Sequence, residues 1–444
     1  MNFDAIKNIH FVGIGGIGMS GIAGILAERG MTVSGCDLKP SAATDLLATR
    51  GIPVTIGHSA AHVQGVDAIV VTSAVKGRNA EIDAAHDAGV RVIKRKEMLG
   101  AIVNDKRGVG VAGTHGKTTT SAMIAVILEE AGLDPTIIVG GMLRNIASNA
   151  KSGDGDYVVV EADEYDRTFH ELHPAIAVVT NIEADHLEYY GSFEAIEEAF
   201  HVFVEGTRGI VIGCVDEPAV ARLLARTTRP VLRYGLSDIA DIRAARVEFD
   251  ERGSWFDVPG IGFFRLFVPG EHNVRNALAA IAVADEIGVA PQTIATALSK
   301  FLGVDRRFQI LGEFGGAIIV DDYAHHPTEI RATLNAARSG YPRRRLVALF
   351  QPHLYSRTRD FAREFGESLR IADIALVAPI YAAREQPVEG VTSRLISDAV
   401  QGVEFIDKSN DEIVADLRGR LQPNDVFIAM GAGDVHQVSE ALVG

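Results

Sequence analysis

The segment Gly113-Thr114-His115-Gly116-Lys117-Thr118-Thr119-Thr120 carries the residue types that grip a nucleoside triphosphate. Glycines let a loop close around phosphate with its amides pointing inward. A lysine ammonium neutralises the β and γ oxygens, and the next hydroxyl binds magnesium. The spacing departs from the common phosphate-loop pattern, whose first glycine would fall at Val111, whereas Gly113 lies closer in. A second glycine cluster, Gly13-Ile14-Gly15-Gly16-Ile17-Gly18, has Asp37 at the end of the next apolar run. Such a loop brings backbone amides to a diphosphate at a helix N-terminus. Alone it is the fingerprint of a dinucleotide domain, or of a strand–helix turn that binds nothing, and it does not say which diphosphate.

Acids and imidazoles cluster after later apolar runs. Val160-Glu161-Ala162-Asp163-Glu164 follows one, and Thr180-Asn181-Ile182-Glu183-Ala184-Asp185-His186 follows another. Carboxylates with phosphate oxygens suit magnesium, and manganese also accepts imidazole; the same residues also serve as helix caps and ion-pair partners. Asn273 and Asn276 lie three apart on one helix face. An amide pair offers the donor and acceptor that an adenine edge needs, while Asn273 equally suits a helix cap. Arg306 and Arg307 fit bidentate phosphate binding or a charged linker. Asp321-Asp322-Tyr323-Ala324-His325-His326, Gln351 to Thr358, Ala378 to Tyr381 and Gly431 to Asp434 each leave a predicted strand on one rim.

These residues need elements to hold them. Short apolar runs at 9–13, 32–35, 68–72, 90–93, 108–112, 157–161, 175–180 and 210–213 alternate with helical or polar segments, and a long helix is predicted over 117–131. This is the pattern of mostly parallel sheets covered on both faces. Residues 240–268 mix charged, aromatic and glycine residues, as in a small antiparallel insertion, before a helix over 272–287. Further strands are predicted at 317–320, 346–350, 374–378, 403–406 and 426–430. The expected fold is α/β in three domains: 1–105 Rossmann-like, 106–311 a central phosphate-loop domain with a mostly parallel sheet, and 312–444 Rossmann-like.

The 444 residues are 47% hydrophobic and 23% charged, which allows several cores. A net charge of −15 argues against nucleic-acid and anionic-membrane partners. The spacing of the two cysteines, Cys36 and Cys214, is read as ruling out a Cys-type zinc site, and both read as buried thiols of a reducing compartment. Met1–Asn8 shows no signal pattern and no run is long enough to span a bilayer, so a cytoplasmic protein is expected, as monomer or homodimer.

Taken in order, Gly13–Gly21, Gly113–Thr120, Asn181–His186, Asp321–Glu329 and Gln351–Thr358 resemble the Mur ligases of bacterial cell-wall synthesis, over essentially the whole chain. The resemblance implies a UDP-sugar domain, a central ATPase domain and a C-terminal domain that binds the amino acid and closes over ATP. It implies that Gly15, Gly16 and Ile17 lie at the UDP diphosphate, with Asp37, His58 and Ser73 near uridine or sugar. Gly113, Thr114, His115, Gly116, Lys117, Thr118 and Thr119 then hold ATP phosphates, Thr118 and Glu161 one magnesium, and His186 a second site that also accepts manganese. His272, Asn273 and Asn276 meet the adenine side; Arg307 and Asp322 reach the nucleotide; Tyr323, His325 and Arg357 frame the amino acid, with Arg357 on its carboxylate. Sister ligases that bridge metals with a carbamylated lysine differ here, since no lysine lies between Lys151 and Lys300.

The implied reaction joins L-alanine to the lactyl carboxylate of UDP-N-acetylmuramate through an acyl phosphate, with Lys117 and Arg307 neutralising charge and His325 as candidate base. Gly16–Gly21 and Asp322–His326 favour the alanine-adding members, while Ala162–Asp166 also resembles a recycling ligase that attaches a tripeptide. A nicotinamide-dependent oxidoreductase leaves Gly113–Thr118 without a role, and a phosphate-loop switch leaves the polar rim of the last domain without one.

Overall fold

The computed structural model describes residues 6–75, 77–383 and 385–444, so Met1–Ala5 of the terminus read for a signal pattern lie outside the described residues. Among the described residues the chain forms an α/β structure with four sheets. The first comprises β1 (Asn8–Val12), β2 (Thr32–Asp37), β3 (Val54–Ile56), β4 (Ala68–Val71) and β5 (Arg91–Lys94), all parallel, in the order β3-β2-β1-β4-β5. Consecutive crossovers leave β1 in opposite directions. The loops after β1 and β4 therefore diverge and open a crevice at the carboxyl edge.

The second sheet comprises β6 (Arg107–Ala112), β7 (Thr136–Leu143), β8 (Ser148–Lys151), β9 (Tyr157–Glu161), β10 (Ile176–Val179), β11 (Ile210–Cys214), β12 (Val231–Gly235) and β13 (Ile242–Arg243). Its order is β13-β12-β11-β10-β6-β9-β7-β8, with only the β7–β8 pair antiparallel. β6 lies between β10 and β9, with Ala112 in register with Val179 and Val111 with Glu161. The three loops leaving these strands therefore emerge side by side. The helix Lys117–Glu130 is buried from Thr118 to Leu128, as befits a helix whose apolar residues go round every face.

The insertion is the three-strand sheet β14 (Ala245–Asp250), β15 (Gly253–Val258) and β16 (Gly262–Leu266), with β14 and β15 antiparallel. The helix Glu271–Ile287 follows. The fourth sheet is β17 (Gln309–Phe314), β18 (Ala317–Asp322), β19 (Arg345–Phe350), β20 (Ile374–Val377), β21 (Val403–Phe405) and β22 (Asp425–Met430), in the order β17-β18-β22-β19-β20-β21. Only β17 runs antiparallel. Alternate residues of its strands enter different cores. Val320, Ala348, Val426 and Ile428 pack with Leu334 and Phe365, while Ile319, Val347, Phe427 and Ala429 pack with Ile413 and Val438. Both faces are covered, which is why these strands read as unbroken apolar runs.

Compactness divides the chain into two units: Met1–Ala244 with Val258–Gly262 and Arg275–Lys300, and Ala245–Asp257 with Phe263–Val274 and Phe301–Gly444. In the first unit one core runs from Phe11 and Ile22 to Phe169, Phe200 and Phe203, joining the first two sheets. No helix among the described residues is long and apolar enough to cross a membrane.

Candidate active site

β6 ends at Ala112, and the loop Gly113–Gly116 leads into the helix that begins at Lys117. Gly116 has φ +80°, a conformation L residues rarely adopt. A Cβ there would lie 2.6 Å from Asn276 Oδ1. Asn276 is thus placed against the phosphate loop itself, and its Oδ1 also accepts from Thr120 Oγ1 at 3.2 Å. The loop after β10 holds the other flank. His115 N donates to Asn181 Oδ1 at 2.8 Å, Asn181 Nδ2 donates to His115 O at 3.0 Å, and Thr114 N donates to Asn181 O at 3.1 Å. Thr180 Oγ1 donates to His115 O at 2.6 Å, and Glu183 N donates to Thr114 Oγ1 at 2.9 Å.

The Lys117 ammonium donates to Gly113 O at 2.6 Å and to Glu164 Oε2 at 2.8 Å. Burial works against this charge, but the carboxylates of Glu164, Asp163 and Glu161 outweigh it and hold the lysine above its ordinary pKa. One residue on, Thr118 Oγ1 donates to Glu161 Oε2 at 2.8 Å, and the same oxygen accepts from Gly140 N at 2.8 Å. A lysine charge, a hydroxyl and a carboxylate oxygen thus converge at one helix start. His186 follows on the next loop with φ +55°, its ring 5.0 Å from Tyr165 and its Nε2 3.8 Å from Asp185.

The first sheet carries a separate cavity of about 640 Å³ at its crevice, lined by Gly13, Gly15, Gly16, Asp37, His58 and Arg78 among others. Gly15 N donates to Asp37 Oδ2 at 2.8 Å, so the acid braces the glycine loop. Ser73 lines a neighbouring cavity of about 560 Å³ together with Lys94, Arg95 and Lys96. Ile17 is exposed at the start of its helix.

In the second unit the loops after β18, β19, β20 and β22 meet on one rim, as the registers Asp322–Met430, Phe350–Met430 and Phe350–Val377 require. Tyr323, His325, His353 and Tyr381 form a chain of ring contacts at 5.3, 6.0 and 6.0 Å. Arg306 and Arg307 both lie over the Tyr323 ring, and Arg307 pairs with Glu329 at 3.7 Å. His325 Nδ1 is 3.2 Å from Glu329 Oε2. Arg357 is buried in the short helix Tyr355–Asp360, after Leu354 at φ +73°. His272 and Asn273 stand at the start of the helix Glu271–Ile287, where Asn273 Nδ2 donates to Pro269 O at 2.7 Å.

Asp322 is buried and accepts from Phe308 N and Ala324 N, each at 2.7 Å. Burial pushes its pKa up from 3.8 to about 6, although the Arg307 charge and both amides oppose this. Between those values the folded chain holds a proton that the unfolded chain has released. Its contribution to stability is therefore complete below the unfolded value and is lost as pH rises to about 6. The stability difference between wild type and Asp322→Asn, from urea unfolding, is expected to shrink across that window. A difference independent of pH contradicts the assignment.

Glu164, Asn181, Gly140 and Arg78 were not assigned roles from the sequence. Asn181 and Glu164 stand inside the motifs quoted above, and their position at strand ends was the signal available.

Comparison with known proteins agrees along the whole length. Residues 8–107 match the model described as Mur ligase family, catalytic domain; 111–284 match Mur ligase middle domain; 306–433 match Mur ligase, glutamate ligase domain. The chain is 45% identical to UDP-N-acetylmuramate–L-alanine ligase of Salinibacter ruber, over 99% of this chain and 94% of that one. It is also 45% identical to the protein of the same name from Methylococcus capsulatus, over 98% and 96%. A crystal structure of UDP-N-acetylmuramate–alanine ligase from Thermotoga maritima matches with TM-score 0.83 and 30% identity, covering 99% and 98%. A murein peptide ligase from Psychrobacter arcticus matches with TM-score 0.71 and 28% identity, covering 98% of each chain.

Proposed function

This chain belongs to the Mur ligase family, and from that premise we infer that it joins L-alanine to UDP-N-acetylmuramate with ATP in peptidoglycan synthesis. It is an amide-bond-forming ligase. The reading is carried by one observation: a Gly–Lys–Thr phosphate loop and a separate glycine-loop cavity stand in a chain 45% identical, over almost its full length, to ligases of that name. The tripeptide-adding alternative is supported less well, since the murein peptide ligase gives the lower TM-score.

The three domains are proposed to divide the work, with 1–105 holding the UDP-sugar, 106–311 the ATP and 312–444 the amino acid. An amide cannot form from a free carboxylate, which is a poor electrophile. The lactyl carboxylate attacks the γ-phosphorus of ATP, giving an acyl phosphate and ADP. The alanine amine then attacks the acyl carbon, and phosphate leaves with the bonding electron pair. The protein supplies position and charge rather than a nucleophile. Gly113, Thr114, His115, Gly116 and Thr119 hold phosphates, and Lys117 neutralises charge that grows as the γ-phosphoryl group transfers. His272, Asn273 and Asn276 serve the adenine side, and Arg307 and Asp322 the rest of the nucleotide. Arg357 takes the alanine carboxylate in a two-pronged bond, beside Tyr323. His325, next to Glu329, accepts the proton that the alanine ammonium must lose. Gly15, Gly16, Ile17, Asp37, His58 and Ser73 serve the UDP-sugar.

A hydroxyl and a carboxylate oxygen 2.8 Å apart fit a hard divalent ion, so Thr118 and Glu161 are proposed to hold magnesium and His186 a second ion that can be manganese. Bound there, the ion supplies neutralisation of phosphate charge. Glu161→Ala is expected to raise the magnesium concentration for half-maximal rate more than His186→Ala, because it removes a charge as well as a ligand. Equal effects in a metal titration contradict the ranking. Working on soluble small molecules, the enzyme is proposed to be cytoplasmic, as monomer or homodimer.

The test is phosphate release with UDP-N-acetylmuramate against a panel of amino acids and the tripeptide. Release is expected only with ATP and L-alanine together with the UDP-sugar. Preference for the tripeptide selects the recycling reading, and nicotinamide turnover overturns both.

A further inference from the structure

A second constellation lies away from the phosphate loop, inside the first sheet. His10 on β1, Cys36 on β2, His62 on the short helical turn Ala60–Val63 and Glu81 on the helix Ala80–Ala88 each turn one ligating atom inward, and those four atoms lie within 4.8 Å of one another. Cys36 Sγ donates to Glu81 Oε1 at 3.1 Å, and His62 Nδ1 is 2.8 Å from that oxygen. His10 is 3% exposed; its Nδ1 is bonded to Ser34 Oγ at 2.9 Å, and its Nε2 is buried with no hydrogen-bond partner among the described residues. Cys36 and Glu81 are fully buried.

We propose that His10, Cys36, His62 and Glu81 form a site for one borderline-soft divalent cation of the zinc class. The donor set is the first reason. One thiolate, two neutral imidazoles and one carboxylate suit zinc, whereas magnesium takes oxygen. Charge is the second. A divalent ion with one thiolate and one carboxylate sums to zero, which is what a buried site tolerates. Geometry is the third. In a tetrahedron with metal–ligand bonds of about 2.0–2.3 Å, neighbouring donors are roughly 3.3–3.7 Å apart. The Cys36–Glu81 pair is already near that spacing; the His62–Glu81 pair, at 2.8 Å, opens to reach it, and the remaining pairs, none beyond 4.8 Å, need shifts of about 1 Å. The surroundings are the fourth. Ser34 fixes the His10 ring as an outer partner fixes a ligating imidazole, leaving Nε2 for the metal. On binding, the Cys36 thiol gives its proton to solvent and the sulfur–metal bond replaces the sulfur–hydrogen bond.

His58 supplies the way in. Its Nδ1 lies 3.3 Å from Cys36 Sγ and 2.9 Å from Glu81 Oε2, and the residue lines the 640 Å³ cavity of the glycine loop. Cys36 O accepts from both Gly13 N and Ile14 N. An ion here ties four separate elements of the first sheet and its cover together beneath that loop. The inference stands apart from the ligase reaction, and its test does not use turnover.

The full-length chain, stripped of metal and kept reduced, is titrated with cobalt(II) alone. The first equivalent is expected to bind here, ahead of any at Thr118, Glu161 or His186, with a sulfur-to-cobalt charge-transfer band in the near ultraviolet and the strong visible bands of four-coordination. Zinc displaces it and excess magnesium does not. Cys36→Ser abolishes the ultraviolet band, and Cys214→Ser keeps it. His10→Asn and Glu81→Gln weaken binding by at least about tenfold, with the circular dichroism of the wild type showing that they remain folded. A pale six-coordinate spectrum in the wild type overturns the proposal. So does a charge-transfer band that survives Cys36→Ser, or cobalt affinity unchanged in both His10→Asn and Glu81→Gln.

Discussion

Replacing Lys117 by alanine is expected to lower turnover by about a thousandfold or more, because a charge aimed at the transferring phosphoryl group acts mainly in the transition state. The same change leaves Glu164 buried without its nearest cation. Breaking such a pair by removing one partner costs about 3–5 kcal/mol, so lost activity alone would not separate chemistry from folding. The double variant Lys117→Met with Glu164→Gln removes both charges together and is expected to recover much of the thermal stability and none of the turnover. Calorimetric affinity for UDP-N-acetylmuramate is expected to stay the same in both, since the glycine-loop cavity is built from other residues. Turnover that returns with stability in the double variant removes Lys117 from the chemistry.

The second large effect is expected from a single methyl group. Gly113 has φ +145°, and a Cβ there would stand 1.9 Å from Thr180 Oγ1 and 3.2 Å from Asn181 N and O. Thr180 cannot step aside cheaply, because its hydroxyl donates to His115 O at the centre of the loop. Gly113→Ala therefore combines backbone strain with overlap against buried polar groups, together about 3 kcal/mol or more. The expected outcome is a lowered Tm and an ATP KM raised by at least about tenfold, as the amides lose their common aim. Adding Thr180→Ala removes the atom that is struck but not the strain, so partial recovery of Tm is expected. A Gly113→Ala protein with wild-type Tm and KM shows that the loop is shaped by something else.

These two positions also show what the sequence could reveal. A glycine–lysine–threonine spacing is dictated by the phosphate group itself, so Gly116, Lys117 and Thr118 are readable without knowing the fold. Their partners are not. Glu164 reaches Lys117 from 47 residues away, Asn181 reaches His115 from 66 and Asn276 reaches Thr120 from 156. The strand order β10-β6-β9 brings the first two beside the loop, and Asn276 arrives on the helix Glu271–Ile287. Among the strands that went unread, which also include β8, β12 and β17, β7 and β3 show why. In β7 the pair Gly140-Gly141 has the look of a turn, yet a Cβ on Gly140 would meet Glu161 Oε2 at 2.6 Å, so glycine belongs there for close approach. β3 is three residues long and mostly exposed, which leaves no apolar run to detect. The parallel strands that were legible, such as β4, β10 and β22, are buried along their whole length.

The rim of the fourth sheet carries its polar residues on the loops after β18, β19, β20 and β22, while the strands themselves face inward on both sides. Heredity can therefore work on the two separately. On the proposed reading of that rim, a change at a partly exposed loop position such as Tyr381 alters which amine is welcomed while the strand cores stay as they are, and a lineage can pass from one building block to another by small steps. Leu354 marks where that freedom narrows. Its left-handed backbone admits few side chains comfortably, so variation there is filtered by shape before it is ever tried against a substrate.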